Sequence, residues 1–424
     1  MLLLPTPALA QGVDVAGLSW HHLRAAGAGR VGVVLAWPVG AIHDPSDRTG
    51  FAQATRALLE LCQRDIPERE RFVAETHDRL TLLWAAVPVQ KLSERLGFLA
   101  RLLSGRLEIS DDLHALALAR ARLLADDDTR LYPGSALYNK AHRVLYGGKA
   151  LGRQPAGIPA EIARITRADL MARYQNHHGT RGAVLVTVGD VDPERLLKLL
   201  RKHLPAPTGV NQLPAPVRPA VAKPVVREEI HPRVDGPYVT VAFRAPSPAT
   251  PDAAFVVGVV AMRNLAQARF GAQRSRGEWR ARFPFVRYDY LTGDPLVLVN
   301  RRGRNAVAPQ GALQEIEGLL AAVRKHGPGQ RDLEIAKREI LNTLRRPWQG
   351  GQREVAFRAR VLCVRILLGM DDDFVAQVQN VTAAMAQAAL LDQLGADKKS
   401  DKTCRLVFLP EPTVKLGGFR TRGR

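Results

Sequence analysis

The sequence predicts an α+β protein made of two related domains, each a mainly antiparallel sheet packed with helices. Three observations carry this. The chain has 424 residues, more than one ordinary hydrophobic core supports. Short apolar runs that read as strands alternate with amphipathic helical stretches from end to end. A helix-then-strand unit in the first half, from Thr166 into the run 182–188, returns near the end of the chain as a helix after Thr382 and a strand from Arg405 to Leu409. A proline-rich stretch from Pro205 to Pro224 reads as an extended linker, which divides the chain into residues 11–204, 205–224 and 225–415.

In order, Leu18 to Leu23 and Arg30 to Gly40 read as strands around a Gly-rich turn. A helix follows from about Thr49 to Arg64, with Asp47 and Thr49 as capping-type residues and Phe51, Ala54, Leu58, Leu61 and Cys62 as its buried stripe. Arg69 to His77 and Leu80 to Val87 form a hairpin, and Val89 to Leu103 is amphipathic. Ser110-Asp111-Asp112 caps a helix that Asp126-Asp127-Asp128 should end, and Pro133 to Leu145 is a further helix. After a Gly-rich loop, Thr166 caps a helix to about His177, and a buried strand leads through Gly189-Asp190-Val191-Asp192-Pro193 into a last helix. The second half repeats the alternation: strands 225–230 and 238–243, a helix 252–267, strands 285–291 and 296–300, and three helices near 311–325, 330–344 and 353–368.

Composition narrows function less than it narrows fold. A hydrophobic content of 46% is that of a globular protein. The formal net charge is +20, from 61 Lys+Arg against 41 Asp+Glu, with arginine spread along the whole chain. Such an excess points to an acidic partner, an acidic ligand or a basic cavity, or to a genome rich in Arg codons. No short basic run with interleaved aromatics marks a nucleic-acid surface. The three cysteines, Cys62, Cys363 and Cys404, have apolar neighbours and make no C-x-x-C pair. No apolar run is long enough for a membrane span, and Ala8-Leu9-Ala10 looks like a secretory cleavage site, so a periplasmic location is expected, with the cytoplasm as the alternative.

The helix that begins near Thr49 is the chemical centre. Positions 53, 56 and 57 share one face. On an H-x-x-E-H zinc helix these positions carry two histidines and a glutamate; here they are Gln53, Arg56 and Ala57. The lead-in, a strand to Gly40, then Asp44-Pro45 and Thr49-Gly50, resembles the pitrilysin/insulinase peptidase family. So does the later order Tyr146-Gly147, Ile165-Thr166-Arg167-Ala168-Asp169-Leu170 with Tyr174, and Val188-Gly189-Asp190-Val191. The second half adds Gly369-Met370-Asp371-Asp372-Asp373-Phe374 and Asn380-Val381-Thr382. The family's site needs two His, a water-activating Glu and a downstream Glu as third ligand. Gln53 is a poor zinc ligand, Ala57 has no ligand atom, Arg56 places a permanent cation where the base belongs, and no glutamate lies between Glu108 and Glu161. No zinc is therefore expected in this chain.

Other sites are weaker. His21-His22 alternate across a strand, His177-His178 sit at a helix end, and His43 lies in a turn. No G-x-S-x-G elbow, P-loop or dinucleotide fingerprint occurs. The resemblance implies half of a clamshell chamber, completed by a homologous zinc-bearing subunit, with peptide as substrate. It also implies that the second half supplies Arg and Tyr side chains to grip that peptide. The matching stretch holds Arg280, Arg282, Arg287, Tyr288 and Tyr290, and the expected substrate-binding set is Arg280, Arg282, Tyr288 and Tyr290. The alternatives are a scaffold subunit of a larger complex and, more distantly, a nucleic-acid-binding protein.

Overall fold

The central strands of both halves are apolar on both faces. Val31, Val33, Leu35 and Trp37 alternate with Val34 and Ala36, and all are fully buried. Val239, Val241 and Phe243 alternate with Thr240 and Ala242 in the same way. A strand of this kind needs cover above and below its sheet.

The structure is a computed structural model. It describes residues 12–25, 27, 29–45, 48–105, 107–130, 133–147, 156–204, 206–207, 225–230, 237–246, 252–271, 285–291, 295–302, 309–345, 352–396 and 402–409. The first half comprises β1 (Val13–Val15), β2 (Leu18–Arg24), β3 (Arg30–Trp37), α1 (Phe51–Leu61), β4 (Val73–Thr76), β5 (Thr81–Pro88), α2 (Leu92–Leu103), α3 (Asp111–Arg130), α4 (Pro133–Tyr146), α5 (Pro159–Ile162), α6 (Arg167–His177), β6 (Val184–Gly189) and α7 (Pro193–His203). The second comprises β7 (Val225–Ile230), β8 (Tyr238–Arg244), α8 (Ala253–Gly271), β9 (Val286–Arg287), β10 (Leu296–Arg302), α9 (Pro309–His326), α10 (Gln330–Arg345), α11 (Gln352–Leu367), α12 (Asp372–Asn380), α13 (Ala383–Leu394) and β11 (Cys404–Leu409).

The first sheet runs β1-β2-β6-β3-β5-β4 and the second β7-β11-β8-β10-β9. Apart from the short β1 hairpin partner, the orders are the same. In each sheet the first long strand pairs in parallel with the last (β2 with β6, β7 with β11) and the other pairings are antiparallel. The sequence echo between Thr166 and Thr382 is thus the visible end of a duplicated α+β topology. Both threonines accept the amide of the third helical residue, at 3.1 Å from Asp169 and 3.2 Å from Met385.

One face of each sheet is covered from within its own half. Val33, Leu35 and Trp37 pack with Phe51 and Leu58 of α1, Leu96 of α2 and Leu170 of α6. Val241 and Phe243 pack with Phe255 of α8, Ile316 of α9 and Leu390 of α13. The other faces are covered by exchange. Val34, Ala36, Val184 and Val186 lie in one cluster with Ala359, Cys363 and Val364 of α11. Ala242, Leu298, Leu406 and Phe408 lie with Leu137, Ala141 and Leu145 of α4. Both travelling helices are the fourth of their half.

The exchange is close and has polar ties. Gly32 on β3 has no Cβ, and one placed there would lie 2.1 Å from the carbonyl oxygen of Val355 on α11. Arg360 on α11 donates twice to Glu75 Oε2 on β4, at 3.0 and 2.8 Å. Burial alone raises the Glu75 pKa; hydrogen bonds from His77 and Arg360 outweigh it and hold the carboxyl down at about 2. On the other side, Tyr146 of α4 donates to the Pro295 carbonyl at 2.8 Å, and Arg287 of β9 sits 4.0 Å from the Tyr138 ring centroid.

Two elements differ from the sequence reading. α3 runs through Asp126 to Arg130 instead of ending at the aspartates. Ala117, Ala121 and Ala125 are fully buried at four-residue spacing, and that packing outweighs the small helix penalty of Asp. The strand expected over 285–291 is only Val286–Arg287, because Tyr288 turns edge-on to Phe255 at 5.6 Å. The Ala8-Leu9-Ala10 stretch and the core of the proline linker, 208–224, lie outside the described residues.

Helix exchange makes a specific prediction. Proteolytic cleavage within 208–224 should leave two fragments that still co-elute on gel filtration without denaturant, because each carries a helix seated on the other's sheet; separation of the native fragments would refute the exchange. Gly32→Val should lower stability by about 1–3 kcal/mol or more, read by denaturant unfolding, because it drives a side chain into the α11 backbone.

Candidate functional site

The region between β3 and α1 is held by one buried carboxylate. Asp44 accepts hydrogen bonds from the amides of Gly50 (2.7 Å) and Ala52 (3.1 Å), and so caps α1 from outside the helix. The residue at the helix start, Gly50, has φ 98°, and a Cβ there would meet Ile162 at 2.3 Å. The Asp44 charge is matched by Arg173 of α6, whose Nη2 is 2.8 Å from Asp44 Oδ1, with both side chains buried. Arg173 also donates to the carbonyls of His43 (2.8 Å) and Gly40 (3.3 Å) and lies over the Phe51 ring. Thr49, read from sequence as a capping residue, instead binds Glu161 through its amide (2.7 Å) and hydroxyl (2.6 Å). The other expected cap, Asp47, lies outside the described residues.

On α1 the three motif positions have distinct environments. Gln53 is buried and Ala57 is part of the first core. Arg56 is half-buried and donates through Nε to the Ala74 carbonyl on β4 at 3.0 Å and to Glu60 Oε1 at 3.2 Å. The second oxygen of Glu60 is 2.9 Å from Arg120 Nη2 on α3. The face where a zinc helix would gather donors thus carries an Arg56–Glu60–Arg120 ion-pair chain that ties α1, α3 and β4 together. This donor set does not fit zinc: one side chain has no ligand atom and the guanidinium next to it is a fixed cation already bonded to carbonyl and carboxylate. Among the described residues, no group of three or more His, Cys, Asp or Glu is arranged to hold a metal.

Behind this face lie the α6 histidines. His178 stacks on Tyr174 (centroids 5.2 Å, planes 2° apart) and leans on Trp37 at 5.2 Å, and neither ring nitrogen has a hydrogen-bond partner among the described residues. Burial, and then the Arg173 charge, lowers all three nearby imidazoles: His43 to about 3, His177 to about 4 and His178 well below its ordinary value.

Of the side chains expected to grip substrate, Tyr288 and Tyr290 are described and Arg280 and Arg282 lie outside the described residues. Tyr288 and Tyr290 are half-buried and pack against the cluster shared by the two halves. Burial raises the Tyr290 pKa, opposed by its hydrogen bond to Thr343 on α10. Asp44, Arg173, Glu60 and Arg120 were not singled out as functional from sequence. A signal existed for Arg173 only, which falls between Leu170 and Tyr174 on the inward face of α6.

Comparison with known proteins agrees with this frame. Residues 164–261 match the family model described as the peptidase M16 inactive domain. A protease from Helicobacter pylori superposes with TM-score 0.76 at 16% identity, over 95% of this chain and 100% of that one. A peptidase M16 inactive domain from Pseudomonas fluorescens gives TM-score 0.71 at 19% identity, over 97% and 98%. The periplasmic protease PqqL from Escherichia coli gives 0.66 at 16%, with 96% of this chain matched to 48% of that one. None of the curated proteins compared matches the sequence. The fold is that of the M16-like peptidases. Within that fold, residues 164–261 carry the mark of the family's inactive domain. No helix among the described residues is long and apolar enough to cross a membrane.

The buried histidines set a pH dependence. Each has a folded-state pKa below the unfolded value near 6.5, so its contribution to stability is complete above about 6.5 and is lost as pH falls through the folded value, about 3 for His43 and about 4 for His177. Asp78, buried and raised to about 6, acts in the opposite sense, contributing stability below its unfolded pKa and losing it as pH rises through 6. With three imidazoles against one carboxyl, the melting temperature should fall between about pH 6.5 and pH 4.5. Replacing His43 by Gln should flatten that slope; an unchanged slope would show that these imidazoles are not neutral in the fold.

Proposed function

We propose that this chain is the noncatalytic subunit of a two-subunit zinc peptidase, and that it holds no zinc of its own. The observation that carries this reading is the α1 face: Gln53, Arg56 and Ala57 stand where ligands and base belong, with Arg56 fixed to Glu60 and the Ala74 carbonyl. The fold around that face is complete, so the chain can form half of a chamber. Catalysis then belongs to a homologous partner with an intact H-x-x-E-H helix, which binds the zinc that activates water. The net charge of +20 favours acidic peptides as substrates. A periplasmic site of action fits the Ala8-Leu9-Ala10 stretch and the likeness to a periplasmic protease of Escherichia coli.

Metal analysis of the purified chain should find far less than one zinc per molecule, and the chain alone should hydrolyse no peptide. About one tightly held zinc would sink the proposal. Co-purification from the native host should bring down a zinc-bearing homologue. Recovery of a large non-peptidase assembly in its place would identify the chain as a scaffold.

In this reading Arg280, Arg282, Tyr288 and Tyr290 reach the peptide in the partner's site, where Arg donates to peptide carbonyls and Tyr to a developing oxyanion. Tyr288→Phe, Tyr290→Phe, Arg280→Ala or Arg282→Ala should then lower turnover of the reconstituted pair, by about 10²–10³ for a direct oxyanion donor, without loss of co-elution. Full activity in all four assembled variants would leave the chain as chamber wall only.

A further inference from the structure

Away from the α1 face, residues of α10, α11 and the β2 strand line a half-open cleft. Its chemistry follows from the spacing on α11. Glu354, Phe357, Arg358, Val361, Leu362 and Arg365 recur every three or four residues and line the cleft. The opposite face, Val355, Ala356, Ala359 and Cys363, is buried, with Ala359 and Cys363 in the cluster against the first sheet. The α11 helix therefore has one face committed to the exchange and another that forms a half-open wall. Leu23 of β2 and Leu344 of α10 extend the apolar lining.

Charge on this lining is unbalanced. Arg365 is buried and already used: it donates to the carbonyls of Met370 (3.0 Å) and Leu344 (3.3 Å) and pairs with Asp372 at 3.4 Å. Among the described lining residues, Arg345 and Arg358 remain beside one carboxylate, Glu354. Arg345 Nε is buried and has no hydrogen-bond partner among the described residues. Arg358 is half-buried, and Glu354, one turn earlier on the same helix, is the acidic charge acting on it. The described lining thus has a positive excess beside an apolar wall, and a neutral apolar molecule would leave the unpartnered guanidinium donor buried.

We propose that this cleft binds an apolar carboxylate, a molecule with one carboxylate on a hydrophobic body, its charge held by Arg358 and Arg345 and its body against Phe357, Val361 and Leu362. The carboxylate can come from a free aliphatic acid or from the C-terminus of a peptide that ends in apolar residues. Planar guanidinium groups match either source through paired N–H donors.

The test is calorimetric titration of the full chain with octanoate, with octanol, with an acetylated tetrapeptide ending in Phe-Leu as the free acid, and with the same peptide as its amide. At least one carboxylate should bind and its neutral counterpart should bind at least about tenfold more weakly. Octanoate binding alone identifies a free acid, and peptide binding alone identifies a C-terminus. Arg358→Gln should weaken the bound carboxylate by about tenfold or more. Glu354→Gln should tighten it, since the competing carboxylate is removed; this variant guards against loss of fold, because a damaged cleft cannot bind better. The proposal is overturned if neither carboxylate binds the wild-type chain, if acid and neutral forms bind alike, or if Glu354→Gln weakens binding.

Discussion

The structure depends on the need to cover two sheets that are apolar on both faces. Each half has enough helices to cover one face of its sheet. The second face is closed only by the other half: α11 over Val34, Val184 and Val186, and α4 over Ala242, Leu298 and Phe408. Neither half can therefore bury its core alone. The close backbone approach at Gly32 and the Arg360–Glu75 pair fix the relative position of the halves. The duplication supplies this exchange twice with the same topology.

Much of this was legible in the sequence because period and caps are local signals. The Thr166 and Thr382 caps, the Asp192-Pro193 helix start and the strand at 184–189 stand where the residues placed them. The exchange was not legible. Arg-rich α11 alternates small and apolar residues with Glu354, Arg358 and Arg360, which reads as an ordinary surface helix until a second sheet is known to need cover. The capping of α1 was misread for a related reason. Thr49 has the right chemistry and position for a cap, but its hydroxyl is taken by Glu161, more than a hundred residues later. Asp44 reaches the same amides from before the turn, and that reach depends on Gly50 adopting a left-handed backbone.

The α1 face is held together by ion pairs. A zinc helix gathers imidazoles and carboxylates around a dication. Here the central charge is Glu60, and the groups around it are the guanidiniums of Arg56 and Arg120. The sign of the site is inverted: a carboxylate bridges two cations between α1 and α3. Such a chain holds the same elements together without an open coordination position. A single reversion such as Arg56→Glu would place a second carboxylate beside Glu60 and create repulsion rather than a ligand set.

The same chemistry accounts for part of the net charge. Arginine in this fold is used repeatedly on backbone carbonyls, which are neutral acceptors. Arg173 holds the Gly40 and His43 carbonyls, Arg71 those of Arg64 and Ile66, Arg324 those of Leu394 and Gly395, and Arg365 those of Leu344 and Met370. Several of these carbonyls lie at helix ends, where a cation also suits the dipole. The carbonyl bonds themselves need no aspartate or glutamate, although Arg173 and Arg365 also pair with Asp44 and Asp372. An excess of 61 basic over 41 acidic side chains is thus partly a structural consequence of how loops and helix ends are closed. The field it creates exists regardless of that origin, and any charged molecule that approaches meets it before a specific contact is made.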